Sequence, residues 1–264
     1  MHLPGHDDTS SPSDQRSADR RLWLRAFNLS LAFVLLLTAV FSAQGSFELR
    51  PWTVQPWSMT GWLGLLTAPL LHGSFEHLAT NAISLLMLGT LAGGMYPRAT
   101  LRALPLIWLG SGLAAWLLGE AGSHHLGASG LTHGLMFMVF VLGLLRRDRP
   151  AVAAAMIAFL LYGGMLLTIL PREPGVSWQA HLGGAIGGVI AAAMLRRHDP
   201  PLARKRYSWE DEDEDEDGGA GERDRGELEP PPPQDVPVLW DRPAPTQQGQ
   251  VLPFRAPRRS DGAD

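Results

Sequence analysis

Three short stretches of this chain hold residues that could carry out acyl transfer. HGSFEHLATN contains His72, His77 and Asn81; LGASGLTHGLM sets Ser129 among Gly127, Ala128 and Gly130, with His133 four residues later; QAHLGGAIGG contains His181. A serine hydroxyl is a weak nucleophile until a neighbouring base takes its proton, and histidine is the usual base near neutral pH. Three of the histidines, His72, His77 and His181, could instead ligate zinc. The chain has no HExxH and no carboxylate at ligand spacing, so no metal is expected. With no cysteine there can be no thiolate nucleophile and no disulfide framework.

Each stretch opens an apolar run, and those runs must position the chemistry. A helix needs roughly 20 apolar residues to cross a bilayer. Six such runs are expected, over 24–43, 77–95, 103–119, 126–145, 151–170 and 178–195. Helices satisfy their own backbone groups in hydrocarbon, so the expected fold is an all-α polytopic membrane protein, a bundle of six transmembrane helices spanning residues 23–196. The first run follows a long polar stretch and lacks a small-x-small cleavage site, so it is expected to be retained rather than removed as a signal peptide. Basic residues test the count. Arg16, Arg20, Arg21, Arg25, Arg98, Arg102, Arg146, Arg147, Arg149, Arg196, Arg197, Arg204, Lys205 and Arg206 fall on one side, and Arg50 and Arg172 on the other. The positive-inside rule puts both termini in the cytoplasm. Arginine far outnumbers lysine, which suggests a bacterial source and hence the inner, cytoplasmic membrane.

With orientation set by the arginines alone, all three polar stretches lie at the outer face and at similar depth. Polar groups there are costly and default to function. His77 and Asn81, four apart, share a helix face. A serine beside glycines is also a common packing motif in membrane helices. Its first-turn position, however, aims free backbone N–H groups and the helix dipole at a developing oxyanion, to which His77 and Asn81 can add donors. The pairs Gly184/Gly188 and Gly183/Gly187 are expected to strip side chains from one face of the last span, so that His181 can approach Ser129. No outer-face carboxylate (Glu48, Glu76, Glu120, Glu173) has an obvious place as a third member, which points to a Ser129–His181 dyad.

The ends differ in kind from the core. Residues 1–22 are expected as a disordered cytoplasmic segment. Residues 197–264 are expected as a disordered cytoplasmic tail, basic at first and suited to anionic headgroups, then acidic and proline-rich. Residues 207–264 hold 16 acids and six arginines, a net charge of −10, against +6 for residues 1–206. Such a tail argues against nucleic-acid binding. The lipid bilayer is the expected environment; oligomeric state cannot be read.

The three motifs His72-x4-His77-x3-Asn81, Gly127-Ala128-Ser129-Gly130 and Ala180-His181-x2-Gly184-x3-Gly188, in that order on the right helices, resemble the rhomboid intramembrane serine proteases over residues 24–196. The resemblance implies Ser129 as nucleophile and His181 as base. His77, Asn81 and the Ser129 amide would line the oxyanion hole, and His72 would support it. It implies transmembrane proteins as substrates, cut near the outer face, and no cofactor. Two features depart from the pattern. The Trp-Arg pair of the first outer loop is absent, Trp62-Leu63 being the nearest match, so that loop must be held differently. The aromatic residue four positions after the serine is His133, which either buttresses His181 or shares its role as base. A histidine there is also similar to the rhombosortase branch, which processes C-terminal membrane anchors. A catalytically silent, client-binding rhomboid-like protein is a further alternative.

Overall fold

The computed structural model describes residues 12–172 and 174–200; residues 1–11, Glu173 and the acidic tail lie outside the described residues. The described residues form eight α-helices, with short 3₁₀ turns between α1 and α3: α1 (Pro12–Ala43), α2 (Gly64–Thr67), α3 (Phe75–Met95), α4 (Pro97–Leu118), α5 (Ser129–Arg146), α6 (Arg149–Tyr162), α7 (Met165–Thr168) and α8 (Trp178–Leu195). Among the described residues extended pairing is limited to one isolated bridge, Val54 with His125. α1 begins at Pro12, so residues 12–22, expected to be unstructured, are helical. α5 begins three residues later than its apolar run, which leaves Leu126, Gly127 and Ala128 as the lead-in to Ser129.

The largest departure is the fifth run. Among the described residues five helices, α1, α3, α4, α5 and α8, are long and apolar enough to cross a membrane, and α6 has only 14 residues. At 1.5 Å per residue it spans about 21 Å, short of the roughly 30 Å of hydrocarbon. The apolar run continues to residue 170, but Gly163 and Gly164 interrupt the helix. Glycine is the weakest helix former after proline. Here the chain tightens into i+3 hydrogen bonds, in which Leu166 and Leu167 of the single-turn α7 donate to the carbonyls of Gly163 and Gly164.

α8 is wedged between α4 and α5 and packs more extensively on these two than on any other helix. Its glycines serve two faces rather than one. A Cβ on Gly184 or Gly188 would run into the backbone carbonyls of Gly130 and Gly134 on α5, whereas one on Gly183 or Gly187 would run into Gly110 and Leu106 on α4. Between α3, α5 and α6 lies the core, with Leu85, Leu88, Leu131, Met138, Val139 and Ala158 buried. On the opposite faces Ile83, Leu160 and Met194 are exposed to the surroundings, as lipid-facing side chains require.

Polar clamps close both ends. At the arginine-rich end the buried carboxylate of Asp199, just past α8, accepts from the amides of Arg98 and Ala99 at the start of α4 (3.0 and 2.9 Å). Arg146 donates to the Asp199 carbonyl, pairs with Asp148 at 3.1 Å and lies over the Tyr96 ring. At the other end the first loop, lacking the Trp-Arg pair, hangs from indole N–H groups of α4. Trp108 donates to the Leu65 carbonyl and Trp116 to that of Ser58, both at 3.1 Å, and Trp57 and Trp62 pack around Trp116.

The tight α5–α8 contact makes a prediction. Gly188→Leu is expected to destabilise the detergent-solubilised protein by about 1–3 kcal/mol through overpacking. Ile186→Leu, on the exposed face of the same helix, is expected to stay within about 0.5 kcal/mol. Thermal unfolding of the two variants checks both.

Candidate active site

Ser129 is the first residue of α5; the amides of Leu131 and Thr132 bond the Ala128 carbonyl, which leaves those of Ser129 and Gly130 without an acceptor in the helix. The chain reaches it through Gly127, whose φ of +114° only glycine adopts readily. The Gly127 amide bonds to the Ala68 carbonyl at 2.9 Å, and a Cβ at Gly127 would strike the His77 ring. His77 is set in turn by the cap of α3, since the Ser74 hydroxyl accepts from the His77 amide at 3.1 Å. Asn81 is buried one turn further along, and its Nδ2 has no hydrogen-bond partner.

His181 lies in the first turn of α8 and its Nε2 is 2.8 Å from the Ser129 hydroxyl. Its Nδ1 is 3.0 Å from the backbone carbonyl of Thr168. A carbonyl can only accept, so Nδ1 must carry the hydrogen and Nε2 must present its lone pair to the serine. That is the tautomer a general base requires. His133 stacks on His181, with ring centroids 3.9 Å apart and planes within 13°. Its own nitrogens are engaged elsewhere, Nδ1 with the Ser129 carbonyl at 2.7 Å and Nε2 with the Thr168 hydroxyl at 2.8 Å.

His72 stands behind this group, with its ring edge-on to that of His77 at 5.1 Å. Its backbone is clasped by the Gln44 side chain, which donates to the carbonyl at 2.7 Å and accepts from the amide at 2.9 Å. The ring is fully buried and both nitrogens lack partners. Burial, with His77 alongside, pushes its pKa down to about 4.

Thus Ser129, His181 and His133 are in direct contact, His77 packs at Gly127, and His72 packs on His77. Three contributors were not anticipated. Thr168 touches both histidines of the stack. His125 bonds the Ser177 hydroxyl through Nδ1 at 2.7 Å, tying the loop before Ser129 to the residue before α8. The backbone of His125 also pairs with Val54, which fixes the first loop against the same segment. Thr168 could have been noticed as a polar residue in an apolar run, but its backbone role has no sequence signal.

A polytopic helical membrane protein that holds a serine and a histidine in contact at helix N-termini is defined as a class by these features. The Rhomboid domain model matches residues 59–198, which include every residue of the site. An uncharacterized protein of Mycobacterium tuberculosis is 37% identical over 199 residues, 70% of this chain and 81% of the relative. A second uncharacterized protein, from Mycobacterium leprae, is 40% identical over 140 residues, 50% of this chain and 55% of the relative. The chain belongs to the rhomboid family, as the three motifs had indicated, and is an integral multi-pass membrane protein.

The buried His72 makes stability depend on pH. Its folded-state pKa lies below the unfolded value of 6.5, so its neutral ring contributes fully above pH 6.5. That contribution is lost as pH falls through about 4. The Tm of the wild type is expected to drop more steeply between pH 6.5 and 4 than that of His72→Phe; parallel curves would show that this ring is not responsible.

Proposed function

We propose that the protein is an intramembrane serine endopeptidase that cuts transmembrane segments of other membrane proteins near the outer face. The observation that carries this reading is the 2.8 Å contact between His181 Nε2 and the Ser129 hydroxyl, with Nδ1 committed to a carbonyl. In this reading Ser129 Oγ attacks the scissile carbonyl while its proton passes to His181 Nε2. The oxyanion forms against the Ser129 amide at the start of α5, with His77 and the unpartnered Nδ2 of Asn81 as side-chain donors. His181 then delivers the proton to the departing amine. Water, activated by the same nitrogen, hydrolyses the acyl-enzyme and frees the serine. His72 supports the donor side from behind, and His133 acts as the buttress of His181 rather than as a second base, because both its nitrogens are bonded away from Oγ.

Gly127, Gly130, Gly184 and Gly188 serve by admitting these groups to one another. The basic ends of the helices support an orientation with both termini in the cytoplasm of a bacterium and the site near the outer face of the inner membrane. The tail expected over residues 197–264 lies outside the described residues beyond residue 200.

A fluorophosphonate probe is expected to label the wild type and to fail with Ser129→Ala. His181→Ala should lower labelling by about 10³-fold or more, and His133→Phe by no more than about tenfold. An unlabelled but folded wild type would favour a silent, client-binding protein instead. Membrane proteomics of wild-type and Ser129→Ala cells is expected to show a membrane protein released only in the former; a polypeptide trimmed only at a C-terminal anchor would favour the anchor-processing alternative.

A further inference from the structure

Apart from Ser129 itself, Thr168 is the only residue among the described residues that hydrogen-bonds both rings of the His133–His181 stack. It ends α7, where helix carbonyls have no intrahelical donor and are free to accept from outside. α7 stops at Thr168, three residues before Pro171, which has no N–H with which to continue a helix; in a continuous helix the Thr168 carbonyl would be spent on an amide one turn later.

Donor and acceptor roles follow from the acceptors. His181 Nδ1 faces the Thr168 carbonyl and His133 Nδ1 faces the Ser129 carbonyl. Carbonyls cannot donate, so both rings carry their hydrogen on Nδ1 when neutral. His133 Nε2 is then a lone pair, and the Thr168 hydroxyl 2.8 Å away is its donor. The Met165 carbonyl competes for that hydrogen at a longer 3.1 Å. The arrangement matters when Ser129 yields its proton. The His181 ring then becomes an imidazolium 3.9 Å from the His133 ring, and two cations at that separation would repel each other strongly. A hydroxyl hydrogen seated on the His133 lone pair holds that ring neutral, while the Thr168 carbonyl receives the strengthened N–H bond of the imidazolium.

We infer that Thr168 is a positioning residue that stands where a three-membered site has a carboxylate: its carbonyl fixes the tautomer of His181, and its hydroxyl locks the stacked His133 ring in place and neutral. This rests on Ser129 and His181 acting as nucleophile and base.

The test is fluorophosphonate inactivation of the full-length protein in detergent, read as separate kinact and KI. Thr168→Val, nearly isosteric, is expected to lower kinact by about fivefold to tenfold, the worth of one hydrogen bond, with KI unmoved. Thr168→Ser should restore kinact to within about twofold of the wild type. In a His133→Phe background, which removes the hydroxyl's partner, Thr168→Val should change kinact by less than about twofold, since the two residues act as a unit. Thr168→Val at wild-type kinact overturns the inference alone, as does an equal loss in both backgrounds. Wild-type inactivation that does not need Ser129 and His181 overturns the reading beneath it. Thermal unfolding of each variant separates loss of positioning from loss of fold.

Discussion

The closeness of α8 to α5 is the constraint on which the rest depends. A hydrogen bond of 2.8 Å between Ser129 and His181 joins residues at the N-termini of two different helices. Side chains at the crossing would hold those helices 8–10 Å apart or more. At Gly184 and Gly188 the α8 backbone lies directly on the carbonyls of Gly130 and Gly134, with no room for a Cβ. In hydrocarbon no hydrophobic force drives helices together, so such close contact must come from van der Waals packing of small residues. The distance across which a proton would move is therefore set by glycines that carry no chemistry themselves.

The same logic extends to α4, which α8 meets through Gly183 and Gly187. A helix held on two sides cannot rotate to take His181 off Ser129. The ends are pinned independently, by Asp199 capping α4 at the basic end and by the His125–Ser177 bond at the other. Together these contacts make a rigid frame of α4, α5 and α8. α6, by contrast, stops short and gives way to irregular backbone around Gly163 and Gly164. Non-helical backbone is tolerated at membrane depth where it is covered by protein or lines a cavity; here the Thr168 carbonyl, at the end of α7, meets the His181 ring.

Membership of the rhomboid family accounts for the shared motifs, and the two departures from its pattern show how the structure accommodates change. Without the Trp-Arg pair the first loop is held by indole N–H groups of Trp108 and Trp116 reaching backbone carbonyls. With histidine at position 133 the stacking face is kept, but two polar nitrogens must be satisfied in a buried place. They find the Ser129 carbonyl and the Thr168 hydroxyl, since an unpaired buried nitrogen would cost about 1–3 kcal/mol.

The sequence by itself determined the class and the span limits to within a few residues at most helix ends, and it marked the serine and histidines that lie together in the structure. Those properties are local or additive: apolar length sets a span, arginine placement suggests a direction, and residue type sets what a side chain can do. The motifs around His77, Ser129 and His181 were legible because each needs a particular residue at a particular spacing. What only the tertiary structure decided were the relations between segments. The apolar run 151–170 reads as one helix because hydropathy does not register what two adjacent glycines do to the backbone. The two faces of the α8 glycines, the stacking of His133 and the partnership of Thr168 depend on which helices meet and at what rotation. Thr168 holds His181 through a main-chain carbonyl, and every residue has one of those, so no residue type in the sequence could have marked it.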